Sequence, residues 1–189
     1  MKPTFTIFCG PMFSSKTSKL LMSLEKFKYQ QKNVLVFKPE VDDRYNVNKV
    51  VSHVGWSISA TTIKTGDDVL AALSAYDKKP DVIAIDEMFM INGISEVLIW
   101  LFRTLGTTIV VSTLDLSSSG RPFTEVEKVL PWATHIEKCS AVCTVCGDDA
   151  FYTHKKATSN DDIEIHVGGS EVYEPRCLAC HPHIRKLNT

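Results

Sequence analysis

The sequence has no excess of charge of either sign and no long apolar run. Its 189 residues include 21 Lys and Arg against 22 Asp and Glu, which gives a formal net charge of −1. This balance removes the electrostatic argument for a nucleic-acid or anionic-membrane partner, so we expect neither. The longest apolar run, Val97 to Phe102, has the length of a buried helix segment and is too short to span a membrane.

The sequence also lacks a recognisable export signal. Its apolar stretch from Phe5 to Phe8 is broken at Gly10-Pro11 and followed by Lys16, which does not fit the apolar region of a signal peptide. We therefore expect a cytoplasmic protein. In that reducing compartment, clustered cysteines favour a metal site over disulfides.

Short apolar strands alternate with helices over the first 140 residues. The patterns predict strands at residues 4–9, 34–37, 81–86 and 108–112, and helices at residues 16–31 and 94–105. All-apolar strands separated by helices are typical of a parallel sheet that is covered on both faces. The predicted fold class is therefore α/β.

The character of the chain changes near Cys139. Five of the six cysteines lie from there onward, and no convincing helix occurs before His183 to Leu187. Residues 155–162 are polar and predict a loop. We therefore expect an α/β nucleotide-binding domain over residues 1–140 and a small metal-binding domain over residues 141–189.

A candidate phosphate loop, Gly10-Pro11-Met12-Phe13-Ser14-Ser15-Lys16-Thr17, joins the first strand to the first helix. In that context backbone N–H groups and the positive helix end can hold a di- or triphosphate. Lys16 would neutralise the terminal phosphates and Thr17 would coordinate Mg²⁺. Ser15 stands where such loops normally have glycine, so we expect a strained loop or reduced phosphate affinity. The alternative is an ordinary strand-to-helix turn with a solvated lysine.

Asp86 and Glu87 end the strand predicted at residues 81–86. Ligands of open parallel sheets bind at the carboxyl ends of the strands, where Asp86 could hold Mg²⁺ through water. A solvated acidic turn is the alternative for this pair. Together with the phosphate loop, the pair predicts a nucleotide-binding protein in which Lys16, Thr17, Asp86 and Glu87 converge.

Two Cys-x-x-Cys pairs, separated by 30 residues, predict a zinc site formed by Cys143, Cys146, Cys177 and Cys180. Four thiolates suit tetrahedral Zn²⁺ in a closed structural site. Cys139 and His181 are possible substitute ligands, and Cys9, in the first strand, is expected in the core.

Taken together, these motifs resemble the type II thymidine kinases, a family of P-loop deoxynucleoside kinases with a zinc-bearing lasso domain. The resemblance covers nearly the whole chain. Beyond the motifs above, it rests on Lys38-Pro39, Asp42-Asp43-Arg44-Tyr45, Ser52-His53, Leu114-Asp115, Arg121-Pro122-Phe123, Ala141-Val142-Cys143 and Gly168-Gly169-Ser170-Glu171-Val172-Tyr173. It implies a P-loop NTPase-like sheet, with the lasso over the nucleoside site, and transfer of the γ-phosphate of ATP to the 5′-hydroxyl of thymidine.

The resemblance also implies residue roles. ATP and Mg²⁺ would be bound by Gly10, Met12, Ser14, Ser15, Lys16, Thr17 and Asp86. Glu87 would be the general base, with Lys16 as the second catalytic residue. Asp42 and Arg44 match a family pair near the phosphates, where Arg44 could stabilise the transferred group; a plain surface ion pair is the alternative.

The nucleoside pocket implied by the resemblance contains matches and departures. It would be lined by Met12, Phe89, Met90, Leu114, Ser118, Thr153, Ile165, Val167, Gly168, Gly169 and Tyr173. Phe89 and Met90 replace the family's Gln-Phe pair, and Ser118 replaces the aromatic residue that packs on thymine. Losing one stacking face could cost about 1–3 kcal/mol, although Phe89 and Met90 could instead be core residues.

Three functions therefore stay open: a thymidine kinase, a deoxynucleoside kinase with altered base preference, and a nucleotide-binding homologue of low activity. The family likeness further implies a homotetramer and feedback inhibition by thymidine triphosphate. In the lasso, residues 165–173 would bind the base edge through their backbone. We expect structural zinc to order residues 141–182, so that removing it weakens nucleoside binding.

Overall fold

The computed structural model describes residues 2–42, 49–51, 55–156 and 168–184. Its helices and strands are β1 (Phe5–Cys9), α1 (Lys16–Tyr29), β2 (Val34–Pro39), β3 (Lys49–Val51), β4 (Ser57–Ser59), β5 (Thr61–Ile63), α2 (Gly66–Ser74), β6 (Val82–Ile85), α3 (Ile94–Arg103), β7 (Thr108–Thr113), α4 (Thr124–Val129), β8 (His135–Lys138), β9 (Ala141–Val142), β10 (Asp149–Ala150), β11 (Tyr152–Lys155) and β12 (Tyr173–Arg176).

Six strands form one parallel sheet in the order β5-β2-β6-β7-β1-β8. All residues of β6 and β7 are buried, as expected for parallel strands covered on both faces. The α/β fold class is confirmed. Because β7 lies between β1 and β6, the ends of these three strands form neighbouring positions on one edge of the sheet.

The apolar residues divide between the two faces of the sheet. On one face α1 contributes Leu20, Leu21, Leu24 and Phe27, which pack on Phe8, Val36, Val82, Ala84 and Val110. On the other face, residues of α2, α3 and α4 pack on the alternate residues of the same strands. No helix in the described part of the chain is long and apolar enough to cross a membrane.

The elements predicted from apolar patterns are present with small shifts at their ends. The helices expected at residues 16–31 and 94–105 occupy Lys16–Tyr29 and Ile94–Arg103. The strand expected at residues 81–86 is shorter, at Val82–Ile85. The terminal helix expected from His183 to Leu187 falls largely outside the described residues.

Beyond Cys139 the described residues form two small antiparallel pairs instead of extending the sheet. β9 pairs with β10, and β11 pairs with β12. We call the described residues of this part, 141–156 and 168–184, the C-terminal segment. The division of the chain into domains near residue 140 stays a prediction.

Gly10 marks the closest approach between the end of β1 and the residue that follows β8. The Cys139 N–H donates to the Cys9 carbonyl at 2.7 Å, which extends the strand pairing by one residue. A Cβ at Gly10 would lie 2.3 Å from the Cys139 carbonyl oxygen, and Gly10 itself has a φ of +143°. Both features exclude a side chain at this position.

Gly10→Ala should therefore lower the free energy of unfolding by at least about 3 kcal/mol, since overpacking adds to backbone strain. The matched control is Gly106→Ala, where φ is +61° and the nearest atom, Pro3 Cγ, is 4.0 Å away. Backbone strain alone should make that change cost about 1 kcal/mol. Denaturant unfolding of both variants tests the difference, and equal losses would contradict the close-approach argument.

Candidate functional site

The loop between β1 and α1 has an unusual backbone. Phe13 and Ser15 adopt φ angles of 65° and 58°, which L-residues rarely do. Ser15 is the N-cap of α1, and its side chain makes no capping hydrogen bond. The strain expected at Ser15 is thus confirmed, because a serine occupies the left-handed conformation that glycine would adopt at lower cost.

Lys16 is buried inside this loop. It is 7% exposed, and its Nζ donates to the Pro11 carbonyl at 2.6 Å and to Ser14 Oγ at 3.4 Å. Burial lowers the pKa of Lys16, while the carboxylates of Glu87 and Asp86 act to raise it. The alternative of a solvated lysine is therefore wrong, since the ammonium group faces loop acceptors and nearby carboxylates.

Asp86 follows β6 and accepts hydrogen bonds from hydroxyl groups of two other elements. Thr17 Oγ1, in α1, donates to its Oδ1 at 3.0 Å, and Ser112 Oγ, in β7, donates to the same oxygen. Burial and the neighbouring Glu87 charge raise the pKa of Asp86 to about 6, although both hydroxyl groups oppose the shift. The structure thus brings Thr17 and Asp86 together, as expected.

Ser112 was not among the residues expected at the site. Its signal in the sequence is weak: a polar Ser112-Thr113 pair follows the apolar run at residues 109–111. The strand order explains why Ser112 belongs to the site. Because β7 lies beside β6, the end of β7 that carries Ser112 lies next to Asp86.

Glu87 follows Asp86 with a φ of 50°. It lines a cavity of about 590 Å³ together with residues 12–18 of the phosphate loop and α1. The remaining lining residues are Gly169, Ser170 and Glu171 of the C-terminal segment. The cavity is therefore lined both by the phosphate loop, with a lysine and a carboxylate, and by a glycine-containing turn.

A model of the thymidine kinase family matches residues 4–181, nearly the whole chain. The chain belongs to the thymidine kinase family. Membership implies a kinase that binds ATP and a nucleoside and transfers a phosphoryl group between them.

The residues expected around the base occupy different surroundings. Phe89 is 7% exposed and belongs to the main hydrophobic core, where its ring centroid lies 4.6 Å from that of Phe123. Met90 and Leu114 pack against the same core. Ser118 is half-buried in the loop after β7.

Other expected pocket residues belong to the C-terminal segment. Thr153 is buried and its hydroxyl accepts the Met12 N–H at 3.0 Å. Tyr173 is buried on β12, and Gly168 precedes the turn that faces the phosphate loop. The expected residues Ile165 and Val167, together with Arg44 and His53, lie outside the described residues.

Cys143, Cys146, Cys177 and Cys180 form a cluster whose four Sγ atoms lie within 4.8 Å of one another. A tetrahedron with Zn–S bonds of about 2.3 Å has edges of about 3.8 Å, and the Sγ atoms of Cys146 and Cys177 are 3.6 Å apart. Burial acts to raise the pKa of Cys143, but backbone amides of Cys177, Cys146 and Val145 outweigh it and lower the pKa to about 6. This donor set fits Zn²⁺.

The two possible substitute ligands have other partners. Cys139 is buried, and its thiol donates to the Glu137 carbonyl at 3.7 Å. Both ring nitrogens of His181 bond to backbone groups. Within the described residues, the candidate ligand group contains the four clustered cysteines alone.

Ser15→Gly should raise the free energy of unfolding by about 1 kcal/mol, because glycine adopts the left-handed conformation without the Cβ clash. That corresponds to a rise in Tm of about 2–4 °C. Ser23→Gly, in the middle of α1, is the control and should lower stability by about 0.5 kcal/mol. Calorimetry of both variants tests whether their Tm values change in opposite directions. A lower Tm for Ser15→Gly would count against strain at this residue.

Zinc removal should disorder the C-terminal segment and weaken nucleoside binding, because metal coordination supplies the free energy that orders such small sites. Cys177→Ser should lose bound zinc, measured by elemental analysis, whereas Cys139→Ser should retain it. Nucleoside affinity, measured by calorimetry, should fall only in the first variant. Unchanged affinity after verified loss of zinc would contradict this prediction.

Proposed function

We propose that this chain is a thymidine kinase that transfers the γ-phosphate of ATP to the 5′-hydroxyl of thymidine. The observation that carries the proposal is the meeting of four side chains at one cavity. Lys16 and Glu87 line it, and Thr17 donates a hydrogen bond to Asp86 directly beside it. Family membership supplies the reaction class.

In the proposed mechanism, the phosphate loop holds the β- and γ-phosphates of ATP with backbone N–H groups and the ammonium group of Lys16. Thr17 and Asp86 are the residues that would hold Mg²⁺. The metal, when bound, neutralises charge on these phosphates. The hydrogen bond from Ser112 fixes one Asp86 oxygen, so that the carboxylate is already oriented when a ligand enters.

Glu87 is the proposed general base. As the 5′-oxygen bonds to the γ-phosphorus, its proton moves to a Glu87 oxygen and the bond to the β,γ-bridging oxygen breaks, which releases ADP. The left-handed backbone of Glu87 supports this role, because it turns the Glu87 side chain in a different direction from the side chain of the preceding Asp86. Glu87 therefore lines the cavity while Asp86 remains buried.

The C-terminal segment would bind the nucleoside. Its turn at residues 169–171 lines the same cavity as the phosphate loop, where it would limit access of water to the transferred group. Met12, Thr153, Gly168 and Tyr173 are the proposed neighbours of the base and sugar. Thymidine triphosphate, which carries a nucleoside and a polyphosphate together, is the proposed feedback inhibitor, and a homotetramer is the proposed assembly.

A second candidate is a deoxynucleoside kinase with a different base preference. The packing of Phe89 on Phe123 favours it, because the position where the family's glutamine is expected is filled by a core side chain. Ser118 offers no aromatic face for stacking. Both changes affect the base end of the site and leave the phosphate end intact.

The test is a phosphorylation assay with ATP, Mg²⁺ and each deoxynucleoside, in which the 5′-monophosphate is detected. Thymidine should give the highest kcat/KM, and another pyrimidine nucleoside in first place would support the second candidate. Glu87→Gln should lower kcat about 10²–10⁴-fold with ATP binding retained.

Glu96→Gln, in α3 with a side chain 78% exposed, is the matched control for Glu87→Gln and should leave kcat unchanged. The absence of turnover with any nucleoside would overturn the kinase proposal. Tight ATP binding in that case would instead favour a nucleotide-binding homologue of low activity.

A further inference from the structure

Thr153 connects the C-terminal segment to the phosphate loop. It lies on β11, is 3% exposed, and its Oγ1 accepts the backbone N–H of Met12 at 3.0 Å. Met12 immediately precedes Phe13, the first strained residue of the loop. A strained backbone persists only where its surroundings fix it, and this hydrogen bond is one such constraint.

His181 holds Thr153 from the other side. His181 is 2% exposed, and its Nδ1 accepts the backbone N–H groups of His183 and Ile184 at 3.3 and 3.1 Å. With Nδ1 occupied as an acceptor, the neutral ring carries its proton on Nε2. Nε2 then donates to the Thr153 carbonyl at 3.1 Å.

The Thr153 carbonyl depends on this donor. Thr153 and its partner residue on β12, Pro175, form a non-hydrogen-bonded pair of the antiparallel strands, so the Thr153 carbonyl points away from β12 and receives no donor from that strand. A buried carbonyl without a donor is costly, so the imidazole both satisfies this group and fixes the backbone that carries the Thr153 hydroxyl.

His181 also follows Cys180 directly in the chain. The four-cysteine cluster is therefore connected to the phosphate loop through one residue, His181, and two hydrogen bonds, the first to Thr153 and the second from Met12 to Thr153. Cys180 and Met12 are far apart in the sequence. The connection between them in space is nevertheless short, because β11 lies between them.

We propose that His181 and Thr153 are positioning residues that hold the strained phosphate loop in its ligand-binding conformation and make its order depend on the cysteine cluster. Neither side chain needs to touch the reacting atoms for this purpose. The consequence for ATP rests on the proposed function, whereas the consequence for loop order does not.

The chain offers a matched pair of variants at residue 181. The amide of glutamine reaches the position of Nε2 and can donate to the Thr153 carbonyl, whereas the amide of asparagine reaches the position of Nδ1 and can accept from Ile184. His181→Asn should weaken MgATP binding about five- to tenfold, the effect of one lost hydrogen bond. His181→Gln should stay within about twofold of the native chain.

Calorimetric titration with MgATP, with zinc content measured in each sample, tests this order of affinities. Equal weakening in the two variants, or a stronger effect of His181→Gln, would overturn the role assigned to the Nε2 hydrogen bond. A loss of zinc that accounts for the whole effect would overturn it as well.

Hydrogen exchange of the nucleotide-free protein gives a readout that requires no activity. Thr153→Val removes the acceptor of the Met12 amide at nearly constant volume, so exchange of the loop peptide that contains Met12 should accelerate at least about tenfold. His181→Asn and zinc removal should accelerate the same peptide, and His181→Gln should not.

Unchanged exchange in Thr153→Val and His181→Asn would overturn the proposal. If the native chain binds no MgATP, the proposed function fails, and the exchange comparison still decides whether His181 and Thr153 hold the loop.

Discussion

The site depends on a buried carboxylate, Asp86, that is held by hydroxyl groups from two separate elements. Moving a carboxylate out of water costs several kcal/mol unless hydrogen bonds or charges compensate. Thr17 and Ser112 provide that compensation, and they reach Asp86 only because β7 lies between β1 and β6. The parallel sheet thus acts as the scaffold that makes an ionisable group tolerable at its edge.

Backbone strain is concentrated around the same cavity. Of the four non-glycine residues with positive φ in the described part of the chain, Phe13, Ser15 and Glu87 line it, and only Gln31 does not. Each such residue costs about 1–2 kcal/mol, and the well-packed faces of the sheet offset these costs. Strain of this kind clusters at functional sites because it fixes groups in directions that relaxed backbone would not give.

Sequence reasoning succeeded where a signal is local. Apolar runs predicted four strands of the sheet and the helices α1 and α3, and the Cys-x-x-Cys spacing predicted the metal-type cluster. It missed Ser112 and the role of His181, because both act through contacts set by strand order and by pairings between distant residues. The hydrogen bond between Met12 and Thr153 joins residues 141 positions apart, and no local pattern encodes it. For the same reason, periodicity could not decide whether Phe89 lies in the core or in the pocket.

The cavity is lined by two different parts of the chain, and under the proposed function this separates phosphoryl transfer from nucleoside binding. One part is the phosphate loop together with Glu87 at the edge of the sheet, where the main fold fixes the groups that the proposed phosphoryl transfer would use. The other part is the C-terminal segment, which the hydrogen bond from Met12 to Thr153 joins to the phosphate loop. Phe89 and Ser118 lie in the main fold, after β6 and β7, and neither lines this cavity, so their departures from the family pattern leave the surroundings of Lys16 and Glu87 unchanged.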